Sequence, residues 1–397
     1  MHNLTKIKIF RFLLICTYPF AFIFLYPFAL GRKKNSSPLF FFFDRYAMGG
    51  AQRIFLDILN SVTNVHKQVY FTRRSADDTL KQLFYSIPET ESRDIHFWCD
   101  NLLFRLFSVH YWCFYINRHK QAHVFSSNST FFYDMLPFLK KEFCKTELLH
   151  NFTYGKMGME FFGLANHQYL SFRIVYDNLT LQNIKRQYAD NKVDDSYHTR
   201  VLFIEPGVQI DPPAEKNMDT PLKVLYAGRG GVQKRVWLIS KIAEHFIRAN
   251  QPVEFHFAGN MEGDLSPFVI EHSTLYGRVS DEKKMQDIYR NCHVILLTSA
   301  YEGFPMVIKE GMANGCVPVV TALEGNKTHL VNNSNALLID DIEDEEAVVK
   351  QGIEKINLLL QNKDLHRQLA ANCRNYAEAH FNKKLFEERI NAFLTKQ

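Results

Sequence analysis

The sequence predicts an α/β fold with parallel sheets, divided into two domains. Three observations predict it. Apolar runs suited to single buried strands recur at 39–43, 67–71, 148–152, 222–227, 253–258, 294–297 and 317–321. Stretches of helical length separate most of them, and strand–helix–strand alternation is the pattern of a parallel sheet. Glycines follow three of the runs: Gly49-Gly50, Gly228 with Gly230-Gly231, and Gly259. Ligands in such sheets bind beyond the carboxyl ends of the strands, where these glycines fall.

Composition sets the bounds. At 397 residues the chain can bury two full cores. With 46% hydrophobic and 22% charged residues it is an ordinary globular chain. Phe is frequent, at 35 residues. A net charge of +5 and a pI near 8.6 suit an anionic ligand or a membrane surface, and are too mild to argue for nucleic acid. The seven Cys are scattered, with no CxxC pair. Neither a disulfide framework nor a zinc site is suggested, which points to a reducing compartment.

The chain begins with an apolar segment, taken as residues 1–37. Residues 12–30, FLLICTYPFAFIFLYPFAL, are almost wholly apolar, with Lys6, Lys8 and Arg11 before them and Arg32, Lys33 and Lys34 after. Three readings compete: a membrane anchor or re-entrant hairpin, a cleaved signal peptide, or an apolar extension packed on the protein. Basic residues on both sides leave the orientation open. After a polar break at 35–38, residues 39–43 are the first strand, 44–50 a loop and 51–62 an amphipathic helix. Gly49-Gly50 lets the backbone approach a ligand, and the helix start offers free N–H groups to an anion.

Residues 67–71 are the second strand and 77–85 a polar helical stretch. Residues 100–119 read either as a core helix or as an aromatic and basic face toward lipid. A short strand at 123–126 and a helix at 131–141 follow. The strand at 148–152 carries His150 near its carboxyl end. A strand at 174–176, a helix at 179–188 and a strand at 203–208 complete the first domain. Residues 211–220, DPPAEKNMDT, are the best boundary.

The second domain opens with a strand at 222–227, the loop from Gly228 to Arg235 and a helix at 236–248. Two flexible glycines let this loop fold close to a ligand, with Arg229 and Lys234 facing one anion. No G-x-x-x-x-G-K-[ST] occurs, so a P-loop is not supported. Then come strands at 253–258 and 272–275, a turn at 276–279 and a helix at 281–291. The strand at 294–297 leads through Tyr301-Glu302-Gly303-Phe304 to Pro305, which suits a first helical position. The helix carries 306–314, with Gly315 as the residue beyond its end. Glu302 lies at the carboxyl end of the strand and Glu310 two helical turns later, so both can line one crevice. Gly325-Asn326 turns near it. Helices at 348–360 and 363–380 and a last helix close the chain.

Glu302, seven residues, Glu310, then Gly311-Met312-Ala313-Asn314-Gly315 and Pro318-Val319-Val320 together resemble the donor-site signature of retaining glycosyltransferases of family 4. Gly49-Gly50-Ala51-Gln52-Arg53 resembles that family's first glycine-rich turn. Gly228-Arg229 with Lys234 resembles its phosphate turn, although Lys234-Arg235 stands where the family more often has Lys-Gly. The resemblance implies a GT-B fold: two Rossmann-like domains facing a central cleft, with the apolar segment as an N-terminal extension. The acceptor-side domain would be 38–210 and the donor domain 221–378, with 379–397 a helix returning to the first. The implied activity is transfer of a sugar from a nucleotide-diphosphate sugar to a glycan or lipid-linked acceptor, in cell-surface polysaccharide or lipopolysaccharide synthesis. Arg229, Lys234, Glu302 and His150 would be catalytic. Gly49, Gly50, Gly228, Gly259, Arg278, Val279, Gly303, Phe304, Pro305 and Glu310 would bind the donor beside Arg229, Lys234 and Glu302. No cofactor and no metal are expected. Membrane association, at the cytoplasmic face of the inner membrane, is expected, and nucleic acid is not. A catalytically inactive GT-B nucleotide-binding scaffold at the membrane and a GT-B sugar epimerase are the alternatives.

Overall fold

A computed structural model describes residues 2–33, 39–150, 152, 158–212, 216–218 and 221–395. The chain divides into two compact units, Met1–Glu205 with Phe386–Gln397, and Pro206–Leu385. The polar break at 35–38 and much of 211–220 lie outside the described residues. Residues 206–211 belong to the second unit because its own groups hold them. Lys309 Nζ donates to Pro206 O at 3.0 Å, and Val208 N to Phe381 O at 2.7 Å.

The first unit is built on seven parallel strands. They are β1 (Leu39–Phe43), β2 (Lys67–Phe71), β3 (Thr90–Asp94), β4 (His123–Ser127), β5 (Cys144–Leu149), β6 (Phe172–Val175) and β7 (Val201–Phe203). Their order is β3-β2-β1-β4-β5-β6-β7. The run LFFFF of β1 has no polar alternation because both of its faces are covered. Phe40 and Phe42 point into one core with Trp112 and Tyr115 of the helix Leu102–Asn117. Phe41 and Phe43 point into the other, with Phe55 of the helix Gly50–Ser61. Each buried Phe contributes about 1.5–3 kcal/mol. Phe386, Ile390 and Leu394, spaced by four on the helix Lys383–Thr395, join this second core.

The N-terminal segment is one helix, His2–Gly31, with Pro19 and Pro27 inside it. Leu14, Ala21 and Ala29 bury an inward face in the same core as Phe40 and Phe42. Its outward face leaves Phe12, Phe20, Ile23, Phe24 and Phe28 exposed. The helix is therefore packed on the protein along one side and apolar toward the surroundings on the other.

The second unit has six parallel strands: β8 (Leu222–Ala227), β9 (Val253–Ala258), β10 (Thr274–Gly277), β11 (Val294–Leu297), β12 (Val317–Thr321) and β13 (Leu337–Ile339). Their order is β10-β9-β8-β11-β12-β13. The helices Val236–Arg248, Met306–Ala313 and Glu345–Gln361 bury one face each against this sheet.

Several elements differ from expectation. The stretch 77–85 is helical only over Lys81–Tyr85. The segment 131–141 splits into a helix Thr130–Met135 and a 3₁₀ turn, because Pro137 cannot donate to the helix ladder. Strand β10 lies two residues later than 272–275. Pro305 is the extended residue just before its helix (ψ 136°), not the first helical one.

Candidate active site

The strand order of the second unit reverses between β8 and β11. In open parallel sheets a ligand crevice forms at such a reversal, beyond the carboxyl ends. Two loops leave the sheet there. One joins β8 to the helix Val236–Arg248, and the other joins β11 to the helix Met306–Ala313.

The first loop is glycine-shaped. Gly231 has φ +109°, a conformation that disfavours a side chain. Its N–H donates to Asp264 Oδ2 at 2.9 Å, and Tyr226 Oη donates to Arg229 O at 2.6 Å. A Cβ on Gly259 would run into Gly228 O, so the turns after β8 and β9 are stacked backbone to backbone. Gly259 N in turn donates to Gly277 O at 2.7 Å, which adds the end of β10 to the row. Arg278 just beyond is exposed, and Val279 packs half-buried on the core.

Lys234 and Glu302 form an ion pair across the two loops, with side chains only 16% and 13% exposed. Arg229 remains at the surface and donates to Gln233 Oε1 at 3.3 Å. Gln233 also holds the second loop, donating from Nε2 to Tyr301 O at 3.1 Å. Arg229 and Lys234, expected to face one anion, thus lie in one turn, with Lys234 engaged by Glu302 and Arg229 by Gln233.

Arg235 explains the departure from Lys-Gly. It adopts φ +47°, the left-handed conformation that glycine takes without strain. Its buried guanidinium donates to Thr298 O (2.8 Å), Ser299 O (3.2 Å) and Ile342 O (2.8 Å). Those bonds offset the backbone cost and turn its charge away from Lys234.

In the second loop, a Cβ on Gly325 would collide with Gly303 O, so the turn after β12 abuts the Glu302 loop. Phe304 packs on His329 and Phe381, with ring centroids 4.5 and 5.5 Å away. Pro305 and the helix Met306–Ala313 follow, capped by Asn314 and by Gly315 at φ +68°. Glu310 Oε2 accepts from Tyr289 Oη at 2.6 Å. Neither Tyr289 nor Asp264 stood out in the sequence. Tyr289 sits in a buried stripe with Met285 and Ile288, which reads as core. Asp264 lies in a short 3₁₀ turn with no motif.

In the first unit, Gly49 and Gly50 follow β1, and His150 follows β5. Gly49 is extended (φ −179°), which any residue can adopt, and a Cβ there would meet the end of the Gln52 side chain. Gly50 opens the helix Gly50–Ser61 and has open space where a Cβ would be. His150 is 5% exposed, with its ring 5.2 Å from that of Phe55 on this helix. Its Nδ1 pairs with Tyr176 Oη, while the buried Nε2 has no partner among the described residues. Burial pulls its pKa down to about 3, so the ring is neutral at physiological pH.

Residues 209–379 match the family model of glycosyl transferases group 1. An uncharacterized glycosyltransferase of Methanocaldococcus jannaschii, MJ1178, is 25% identical over 203 residues, 48% of this chain and 53% of that protein. The chain thus spans about half the length of that relative. Among solved structures, Anabaena HepE in complex with UDP aligns at TM-score 0.68 and 15% identity, over 90% of this chain and 100% of that one. The lipopolysaccharide outer core galactosyltransferase WaaB aligns at TM-score 0.63 and 17% identity, over 90% of this chain and 99% of that one. Two parallel Rossmann-like sheets with these likenesses are the GT-B fold, and residues 209–379 are similar to the glycosyl transferases group 1.

Proposed function

We propose that the protein is a retaining glycosyltransferase similar to family 4, moving a sugar from a nucleotide-diphosphate sugar to a glycan or lipid-linked acceptor. The Lys234–Glu302 pair carries this reading. It sets a partly buried cation and carboxylate at the reversal of the second sheet, beside stacked glycine turns. A donor needs both charges, one for its diphosphate and one for its sugar.

As the anomeric C–O bond breaks, charge grows on the leaving phosphate and the ring becomes oxocarbenium-like. Lys234 and Arg229 stabilise that phosphate charge, more effectively where water is scarce. Without donor, Lys234 and Glu302 neutralise each other, so neither stands unpaired in a partly buried place. With donor, Lys234 turns to the diphosphate, and Glu302 holds sugar hydroxyls and favours the cationic ring. Glu310 binds the ribose hydroxyls, its carboxylate fixed by Tyr289. Gly303, Phe304 and Pro305 shape the sugar side, and Gly228, Gly259, Arg278 and Val279 the nucleotide side. Gly49, Gly50 and His150 enter on the resemblance alone. Because His150 is neutral, it would hydrogen-bond the donor through Nε2 and would not titrate.

The basic residues supply the charge that a metal would otherwise bring, so the reaction is proposed to need none. HepE is solved with UDP and WaaB is named for a lipopolysaccharide sugar, which supports a nucleotide-sugar donor and a cell-surface glycan as acceptor. The apolar helix and the free cysteines support work at the cytoplasmic face of the inner membrane. The test is a panel of nucleotide sugars offered to the purified full-length protein, read by thermal shift and by hydrolysis. One donor should raise the melting temperature and be hydrolysed, with EDTA making little difference. Binding without turnover would favour the inactive scaffold, and no binding would overturn the reading.

A further inference from the structure

The most apolar 18-residue stretch of Thr5–Gly31 has a mean hydropathy of 1.9 and is only 17% buried, so length and composition alone would let the helix cross a bilayer. The packing says otherwise. The helix His2–Gly31 runs parallel to the helix Leu102–Asn117, and polar ties fasten it along its length. Arg11 Nη2 donates to Asn166 Oδ1 at 2.6 Å. His110 Nε2 meets Thr17 Oγ1 at 3.2 Å and Leu14 O at 3.0 Å. Arg118 Nη1 donates to Ala29 O and Arg32 O at 2.6 and 2.7 Å. Arg32 lies over the rings of Trp112 and Tyr115, 4.8 and 4.7 Å from their centroids. From Arg11 to Arg32 these ties cover about 30 Å of helix, the whole thickness of a hydrocarbon core. A crossing helix would have to break them or drag Asn166, His110 and Arg118 into lipid, and buried polar groups without partners are costly there.

The outward side of this helix does not end alone. Where it begins, the Arg105 guanidinium lies 5.6 Å from the Phe10 ring. There the helices His96–Asp100 and Leu102–Asn117 present a knuckle with Phe97, Trp98, Leu102 and Leu103 more than half exposed. Of the 25 exposed large apolar residues of the described chain, 17 lie on these three helices. Lys6, Lys8 and Lys33 are exposed at the ends of the first helix. A bulky aromatic face between cations suits anionic headgroups and the upper acyl region.

We propose that residues 2–31 form an in-plane membrane helix, which stays folded on the first unit and lies along one leaflet together with the 96–107 knuckle, without crossing. This rests on the reading that the protein works at a membrane, and deepens it to a surface and a topology. The test uses the full chain, with Thr5→Cys as labelling site and Cys16→Ser and Cys144→Ser to silence accessible thiols. Membranes from expressing cells are probed with an impermeant maleimide, as inverted vesicles and as intact spheroplasts. Labelling of Cys at position 5 only in inverted vesicles, the side of the catalytic units, is expected. Labelling only in spheroplasts would overturn the in-plane helix while leaving membrane association standing. Recovery of all protein in the soluble fraction would overturn both. Flotation on phosphatidylethanolamine/phosphatidylglycerol vesicles tests the surface itself. Phe24→Ser with Phe28→Ser, and separately Trp98→Ser with Leu103→Ser, should each lower the bound fraction roughly tenfold or more. Unchanged binding of well-folded knuckle variants would remove the knuckle from the surface.

Discussion

Lys234 owes its place to a carboxylate, while Arg229 hangs from a single surface amide, and this difference separates their expected phenotypes. Arg229→Ala removes an exposed side chain, so stability should stay within about 0.5 kcal/mol. Lys234→Ala strands Glu302 at 13% exposure, so a modest loss of melting temperature should accompany it. Both should cut donor turnover by about 10²-fold, the scale of one lost donor to a developing oxyanion. Full turnover of both variants at saturating donor would sink the diphosphate assignment. Glu310 is a question of affinity. Glu310→Ala loses a charged hydrogen bond of about 1.5–3 kcal/mol, or roughly 10- to 150-fold in donor Kd. Tyr289→Phe keeps the packed ring and removes only the hydroxyl on Glu310 Oε2. It should raise donor KM several-fold with kcat nearly unchanged, and an unaltered KM would remove Tyr289 as a positioning residue. Glu302, Glu310 and Lys234 could be picked out from sequence because their spacing and glycine neighbours are local. Tyr289 and Asp264 could not, since tertiary packing alone selects them as hydrogen-bond partners.

At the scale of elements, apolar runs buried on both faces were readable, whereas edge strands were shifted, as β7 and β10, or missed, as β3 and β13. Strands β1, β8, β11 and β12 are internal to their sheets, and β1 and β11 are unbroken runs of Phe, Leu, Ile and Val. Strand β3, Thr-Glu-Ser-Arg-Asp, is polar because it is an edge strand and only half-buried, so it carries no apolar pattern to detect. The helix Leu102–Asn117 answers its two competing readings in halves. Its start is exposed and aromatic, and its end is core. The first helix likewise joins a packed inward face to an outward apolar one, a division that composition cannot reveal when all sides are apolar. The turn after β12 gives an element-scale test. Gly325 leaves no room for a Cβ against Gly303 O, so Gly325→Ala must push back the loop that carries Glu302. Overpacking of this kind costs about 1–3 kcal/mol. The variant should melt lower and bind donor more weakly than stability alone explains. Normal donor affinity in the folded variant would show that the two turns are not coupled.

Over the whole molecule, each unit keeps neutral imidazoles in its interior. His110, His123 and His150 lie in the first unit, and His293 and His366 in the second. Burial pulls His110, His123, His293 and His366 down to about 4, and His150 to about 3, from an ordinary 6.5. The folded chain therefore refuses protons that the unfolded chain accepts between about pH 6.5 and 4. Wherever the unfolded state binds more protons, stability rises with pH. The contribution of these groups is complete above about pH 6.5 and is lost as pH falls through 6 and 5 toward 4. Carboxylates titrate mainly below that window, so the histidines should dominate its upper part. Melting temperature should be nearly flat from pH 8 to 7 and fall progressively from 6.5 to 5. Unfolding at pH 5.5 should take up protons, and at pH 8 these imidazoles should take up none. Because both units hold such residues, both transitions should shift if calorimetry resolves two. A melting temperature independent of pH between 7 and 5 would mean that these imidazoles are solvated or charged in the folded protein, and His150 would then be free to titrate during turnover.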